Sequence, residues 1–424
     1  MRNNTPPTSP YRNDEFDEEI DDDDDEELIY VGDADEVIDD LDEHLNRIRR
    51  EQNNDFDEDD EDVELMGTAS GGGLDELENM IPERDDAKLT FKQHTGSVFC
   101  CALHPTDNLA VTGGEDDKAF VWNIETGEIL FEIQDHKDSV VACGFSHDGV
   151  YLATADMAGF IQVFKVTQNY KKVWEFLMGD LCWMQWHQFA YVLLAGSESG
   201  EVYIWRIPSG DCKVLQGFGE KCEAAQLSSD GKKLAAGYGD GSFKLWDIRS
   251  CSSILDVKSD DTMGHSQNIT CIAIDRENNL ILTGSEDGKA VLMRQTGPIG
   301  NLVSDNSPIE AVLLDNNEFE IKVGIVGTLD GKVSVWDIAK QTMRVECDDP
   351  QPSGITRLLW GTNCTIIAGA LGGAIKVWDL RSGQLKYQLL GHVSDIQNLV
   401  FDKNRNILLS VSDDKTAKIF SLPT

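Results

Sequence analysis

The stretch Leu109-Ala-Val-Thr-Gly-Gly-Glu-Asp-Asp-Lys-Ala-Phe-Val-Trp122 reads as strand, turn, strand, and it ends on a tryptophan whose place recurs along the chain. The equivalent places hold Phe164, Trp205, Trp246, Met293, Trp336, Trp378 and Phe420, at gaps of 41 to 47 residues by subtraction. Three of these tryptophans are followed directly by Asp247, Asp337 and Asp379. A period of roughly 40–45 residues with a Trp-Asp dipeptide marks the four-stranded blade of a β-propeller, a unit that buries its faces only against its neighbours. The pattern predicts an all-β, WD-repeat propeller of eight blades. Seven blades with an irregular insertion is the alternative, given the 47-residue gap around Lys258 to Met263.

The first repeat extends outward from that stretch. Strands are predicted over Ser97–Leu103, Leu109–Thr112, Ala119–Trp122 and Ile129–Ile133, separated by turns rich in Gly, Asp and Asn. The eighth repeat reaches its third strand at Ala417–Phe420. A strand over Lys88–Lys92, ahead of the first repeat, is expected to supply its fourth and so close the ring, removing open edges.

Polar residues recur at the same period. His94, a turn hydroxyl, Asp116 and Trp122 can link a surface loop to a buried indole, satisfying groups that would otherwise be buried unpaired. His265 with Asp287 and His392 with Asp414 repeat the arrangement. Their recurrence marks them as framework rather than catalytic dyads. Ala158, Ser199 and Gly372 stand where repeats two, three and seven should carry the turn acid, so those blades are expected to depend on apolar packing.

The net charge of −41 is unevenly spread. Residues 1–87 hold 34 acidic residues against 6 arginines, a net −28, with an unbroken anionic run from Asp21 to Glu27. Such a segment buries too little apolar surface to offset chain entropy and is expected to be a largely disordered acidic tail. Within it, Ile38, Leu41, Leu45 and Ile48 share one helical stripe and predict a short helix over 35–50. The propeller is assigned to 88–424. The charge disfavours direct nucleic-acid binding and points to basic partners. No run of 18 apolar residues suggests a membrane span. The ten cysteines, none in a Cys-x-x-Cys pair, read as reduced thiols. Gly237-Tyr-Gly-Asp-Gly241 and Gly196-Ser-Glu-Ser-Gly200 are blade turns, not nucleotide or nucleophile loops. No enzyme, cofactor or metal site is expected.

The runs Leu109–Trp122, His136-Lys-Asp-Ser-Val140, Gly179-Asp-Leu-Cys-Trp-Met-Gln-Trp-His187 and Gly210-Asp-Cys-Lys213 resemble the angio-associated migratory cell protein family across nearly all of 88–424. That resemblance implies a cytoplasmic, non-enzymatic binding protein, with nuclear shuttling or peripheral membrane association as further options. Vertebrate members are tied to cell migration and angiogenesis, and a fungal relative is a chaperone for a basic ribosomal protein of the large subunit.

In a propeller, the turns between strands two and three share one face with the connections into strand one. That face is expected to carry Asp117, Asp138, Asp156, Asp180, Glu198, Glu220, Glu286, Glu310, Asp395 and Asp413. Carboxylates gathered around a channel focus a negative field and speed encounter with a cationic ligand. The expected function is a monomeric chaperone or scaffold that captures a basic protein segment, such as a nascent ribosomal protein. A signalling scaffold for cell migration is the alternative.

Overall fold

A computed structural model describes residues 84–259, 263–303, 307–314 and 321–423. The expected acidic tail up to residue 83, its helix over 35–50 and part of the insertion near Lys258–Met263 therefore lie outside the described residues, while residues 84–87, assigned to that tail, belong to the ring because Asp85 and Asp86 bond to its eighth blade and to the connection before it.

Eight four-stranded antiparallel sheets follow one another along the chain, which makes the propeller eight-bladed. The first blade is built from Val98–Leu103, Leu109–Gly114, Ala119–Asn123 and Ile129–Ile133. In each blade the first strand is innermost, and the eight innermost strands touch their neighbours in a closed cycle. Second and third strands are the most deeply buried, as at Tyr151–Asp156 and Val323–Thr328, because they lie between two neighbouring blades. Their near-continuous apolar runs suit sheets covered on both faces. Outer strands such as Thr342–Glu346 are mostly exposed.

Leu89–Phe91 pairs antiparallel with Ala417–Ile419 and supplies the fourth strand of the eighth blade. Residues just before it add to the closure. The Asp86 amide donates to the Leu390 carbonyl at 2.8 Å, and the Leu390 amide donates back to Asp86 Oδ2 at 2.9 Å. Lys418 Nζ, almost fully buried, donates to Asp85 at 2.7 Å and to the Thr90 hydroxyl at 3.1 Å. A related cation in the seventh blade, Lys376, meets Asp349 and the Gln351 carbonyl, both at 2.6 Å. Each buried ammonium is thus paired and hydrogen-bonded, as its desolvation requires.

Every innermost strand carries one β-bulge, at Phe99, Val141, Cys182, Glu223, Thr270, Glu310, Thr356 and Gln397 in turn. A bulge adds an unpaired residue and twists the strand. The eight bulge residues stand at one level of the central channel, each partly exposed.

Candidate functional site

The histidines hold the blade connections to the strands. His94 Nδ1 meets Asp116 at 3.0 Å, and its Nε2 meets the Thr112 hydroxyl at 3.0 Å. Trp122 Nε1 donates to that same hydroxyl at 3.3 Å. The hydroxyl lies on the second strand, not in the turn as the sequence suggests. Asp116 also accepts the Thr95 amide at 2.9 Å, tying the connection to the turn. His265 bridges Thr283 and Asp287, and His392 bridges Ser410 and Asp414, in the same way. Their blades carry Met293 and Phe420, so these two links reach no indole. Trp336 and Trp378 use other acceptors, the Ser334 hydroxyl and the Asp348 carbonyl.

Asp156 requires a correction. It is 1% exposed and belongs to the framework, not to a ligand-facing surface. His136 Nδ1 meets it at 3.1 Å while His136 Nε2 meets the Thr154 hydroxyl at 2.9 Å. The second blade thus carries the histidine, hydroxyl and acid of the link despite Ala158 in its turn, though Phe164 leaves it no indole to reach. Its acid has moved two residues back, onto the end of the strand. In the seventh blade, where Gly372 replaces the acid, Asp395 of the next connection accepts the Gly372 amide at 2.7 Å.

Burial opposes ionisation of Asp116, Asp156, Asp287 and Asp414, but hydrogen bonds from the histidines and from backbone amides outweigh it and lower each carboxyl. A lowered folded-state value stabilises the fold above the ordinary aspartate range near 4 and is lost as pH falls below it. The urea midpoint is therefore expected to fall steeply between about pH 5 and pH 3, and less steeply in an Asp287→Asn variant. A midpoint that is flat over that interval would contradict this assignment.

The mouth of the channel is built by eight equivalent backbone hydrogen bonds. In each blade the residue just after the second strand donates its amide to the carbonyl of the residue just before the first strand, at 2.8 to 3.1 Å. The donors are Glu115, Met157, Glu198, Gly239, Glu286, Leu329, Leu371 and Asp413. Their acceptors are Ser97, Ser139, Asp180, Lys221, Asn268, Pro308, Gly354 and Asp395. Asp180 and Glu198 thus face each other in blade three, and Asp395 and Asp413 in blade eight. Glu286 belongs to the donor ring of blade five, and its carboxylate accepts the Asn268 amide group at 3.1 Å. Glu220 and Asp138 lie one position outside the acceptor ring, in the connections to blades four and two. Glu310 stands one level deeper, at a bulge.

Asp117 occupies a different position. It takes the left-handed residue of its turn, at φ +59°, where six other blades place glycine and the eighth Lys415. Such a backbone suits glycine and is tolerated by aspartate. At the equivalent Gly159 a Cβ would fall 1.7 Å from the Gly179 carbonyl oxygen, so this position packs on the following connection. The mouth acid of blade one is Glu115, which sequence reasoning did not single out. It also missed Glu223, at the bulge of blade four. Counting from the ends of the second strands would have found the first, but nothing in the sequence marks the bulges.

Three groups report the field within this mouth. Glu310 is raised by burial first, then by repulsion from Glu286, with Arg357 opposing and Glu223 adding to it. The Cys182 thiol is pushed up to about 12 by burial and by Glu223, Glu198 and Asp180, against Lys221. Lys221 is itself paired with Glu223 at 2.8 Å and is raised by that bond. Carboxylates of blades four and five thus act on Glu310 of blade six, and those of blades three and four on the Cys182 thiol, with Arg357 and Lys221 as nearby cations. A further cation entering here would relieve repulsion among acids already held in place. Among the described residues no group of three or more His, Cys, Asp or Glu side chains is placed to hold a metal ion.

The family model of the WD domain, G-beta repeat, matches residues 86–123, 127–165, 212–247, 258–292 and 383–421. These segments fall on blades one, two, four, five and eight. The human angio-associated migratory cell protein is 39% identical over 373 residues, covering 84% of this chain and 85% of its own. The Saccharomyces cerevisiae ribosome assembly protein SQT1 is 20% identical over 410 residues, covering 86% of this chain and 92% of its own. Among solved structures, Chaetomium thermophilum Sqt1 bound to the N-terminus of the ribosomal protein L10 superposes with a TM-score of 0.73 at 21% identity. That superposition covers 80% of this chain and 100% of the other, and at this identity it speaks for the fold alone.

Proposed function

We propose a function from one premise: the chain belongs to the family of the angio-associated migratory cell protein, and it is a WD-repeat propeller. From there, the chain is read as a non-catalytic receptor that holds a basic protein segment on the mouth of its channel. The observation that carries this reading is the convergence of Asp180, Glu198, Glu223, Glu286 and Glu310 on one opening, where Glu310 is raised by burial and by its neighbours' charge. The ligand favoured is a basic segment of a ribosomal protein, and a chaperone role in ribosome assembly follows from it. The Sqt1 complex with the N-terminus of L10 supports that choice. The cytoplasm is the compartment in this reading. The name of the human relative supports a second one, a scaffold in cell migration that binds through other surfaces.

The test is a titration of the full chain with a synthetic arginine- and lysine-rich peptide, read by fluorescence anisotropy. Binding is expected at about 50 mM salt and should weaken roughly tenfold or more by about 300 mM, because exposed charges are screened over the Debye length. No binding at low salt, or binding indifferent to salt, would sink the acidic mouth as the receptor.

A further inference from the structure

The donor ring of the mouth is not acidic throughout. Met157, Leu329 and Leu371 take the places that Glu115, Glu198, Glu286 and Asp413 hold in other blades. Met157 is 48% exposed and Leu329 43%. Their amides are held by the same backbone bonds as those of the acids, at 2.8 to 2.9 Å, so all seven side chains start from one level. Large apolar side chains fixed in solvent on a ring of otherwise polar loops gain from being covered. Beneath Met157, the bulge residues of blades one and two are Phe99 and Val141, both half-buried. The bulge residues of blades four and six are Glu223 and Glu310. One wall of the channel is thus apolar where the other is acidic.

Carboxylates flank each apolar position. Glu115 and Glu198 stand on the blades either side of Met157, while Glu286 and Asp413 bracket the Leu329 and Leu371 pair. That charge rules against a second copy of this strongly anionic chain and against an anionic lipid surface. Resting on the reading above, we propose that the mouth selects a peptide in which basic residues alternate with large apolar ones. Met157, Phe99 and Val141 form one apolar subsite, and Leu329 with Leu371 forms the other.

The experiment compares two peptides of equal length and charge on the full chain, one alternating arginine with serine, the other arginine with leucine. The leucine peptide is expected to bind about tenfold tighter, and the advantage should persist at high salt because apolar burial is not screened. A Met157→Ser, Leu329→Ser double variant should erase the advantage and leave the serine peptide's affinity unchanged. Both positions are exposed, so an unchanged melting temperature is expected and confirms that the variant is folded. Equal affinity of the two peptides for the natural chain overturns the apolar subsites and leaves the acidic mouth standing. An advantage that survives the double variant overturns the residues assigned. If neither peptide binds at low salt, the subsites and the acidic mouth fail together.

Discussion

A chain shortened to begin at residue 93 is expected to melt at least about 10 °C below one that begins at residue 84, or to be recovered mainly as aggregate. Phe91 is 2% exposed and stacks on Trp122 with ring centroids 4.6 Å apart and planes 8° apart. It also meets Phe120 edge-on at 5.8 Å. Losing a buried phenylalanine of this kind costs about 3–5 kcal/mol, a large part of the 5–15 kcal/mol by which domains are usually stable. The same cut leaves buried Lys418 without Asp85 and Thr90 and bares the edge of Ala417–Phe420. An uncompensated buried ammonium and an open strand edge both favour unfolding and association. Thermal melts and size exclusion of the two chains decide the matter. Equal melting temperatures and equal monomer recovery would show that the N-terminal strand does not close the ring.

How much of this was legible in the sequence depends on which residues a repeat needs in fixed places. The blade period is written in tryptophans and their substitutes because each sits at one packing position between blades, and eight of them gave eight sheets. The links at His94, His265 and His392 were readable because each acid follows its histidine by 22 residues. The link at His136 was not, because its acid follows by 20. The histidine and the strand hydroxyl stay 18 residues apart in all four, so only the carboxylate changed its point of attachment. Asp117 falls on the mouth only if the whole turn is taken as one surface. Glycine at Gly159, Gly200, Gly241, Gly288, Gly331 and Gly373 in the same turn position marks it as a backbone requirement instead. Glu223 and Arg357 carry no local signal, since their part in the mouth comes from bulged strands that meet only when the ring closes.

Charge at the mouth should have the largest effect on binding. Asp180 and Glu198 face each other across one connection, Glu286 stands two blades further round, and all three are exposed. Reversing exposed charges of this kind leaves stability within about 0.5 kcal/mol per site. Each reversal replaces an attraction for a cationic ligand by a repulsion, worth on the order of 1 kcal/mol. Three together predict roughly a hundredfold loss of affinity. The decisive measurement is the dissociation constant of one arginine-rich peptide for the natural chain and for an Asp180→Lys, Glu198→Lys, Glu286→Lys variant of equal melting temperature, both at low salt. A loss of about a hundredfold that shrinks as salt is added is the result expected of an acidic receptor mouth. Affinities that agree within about twofold would contradict it.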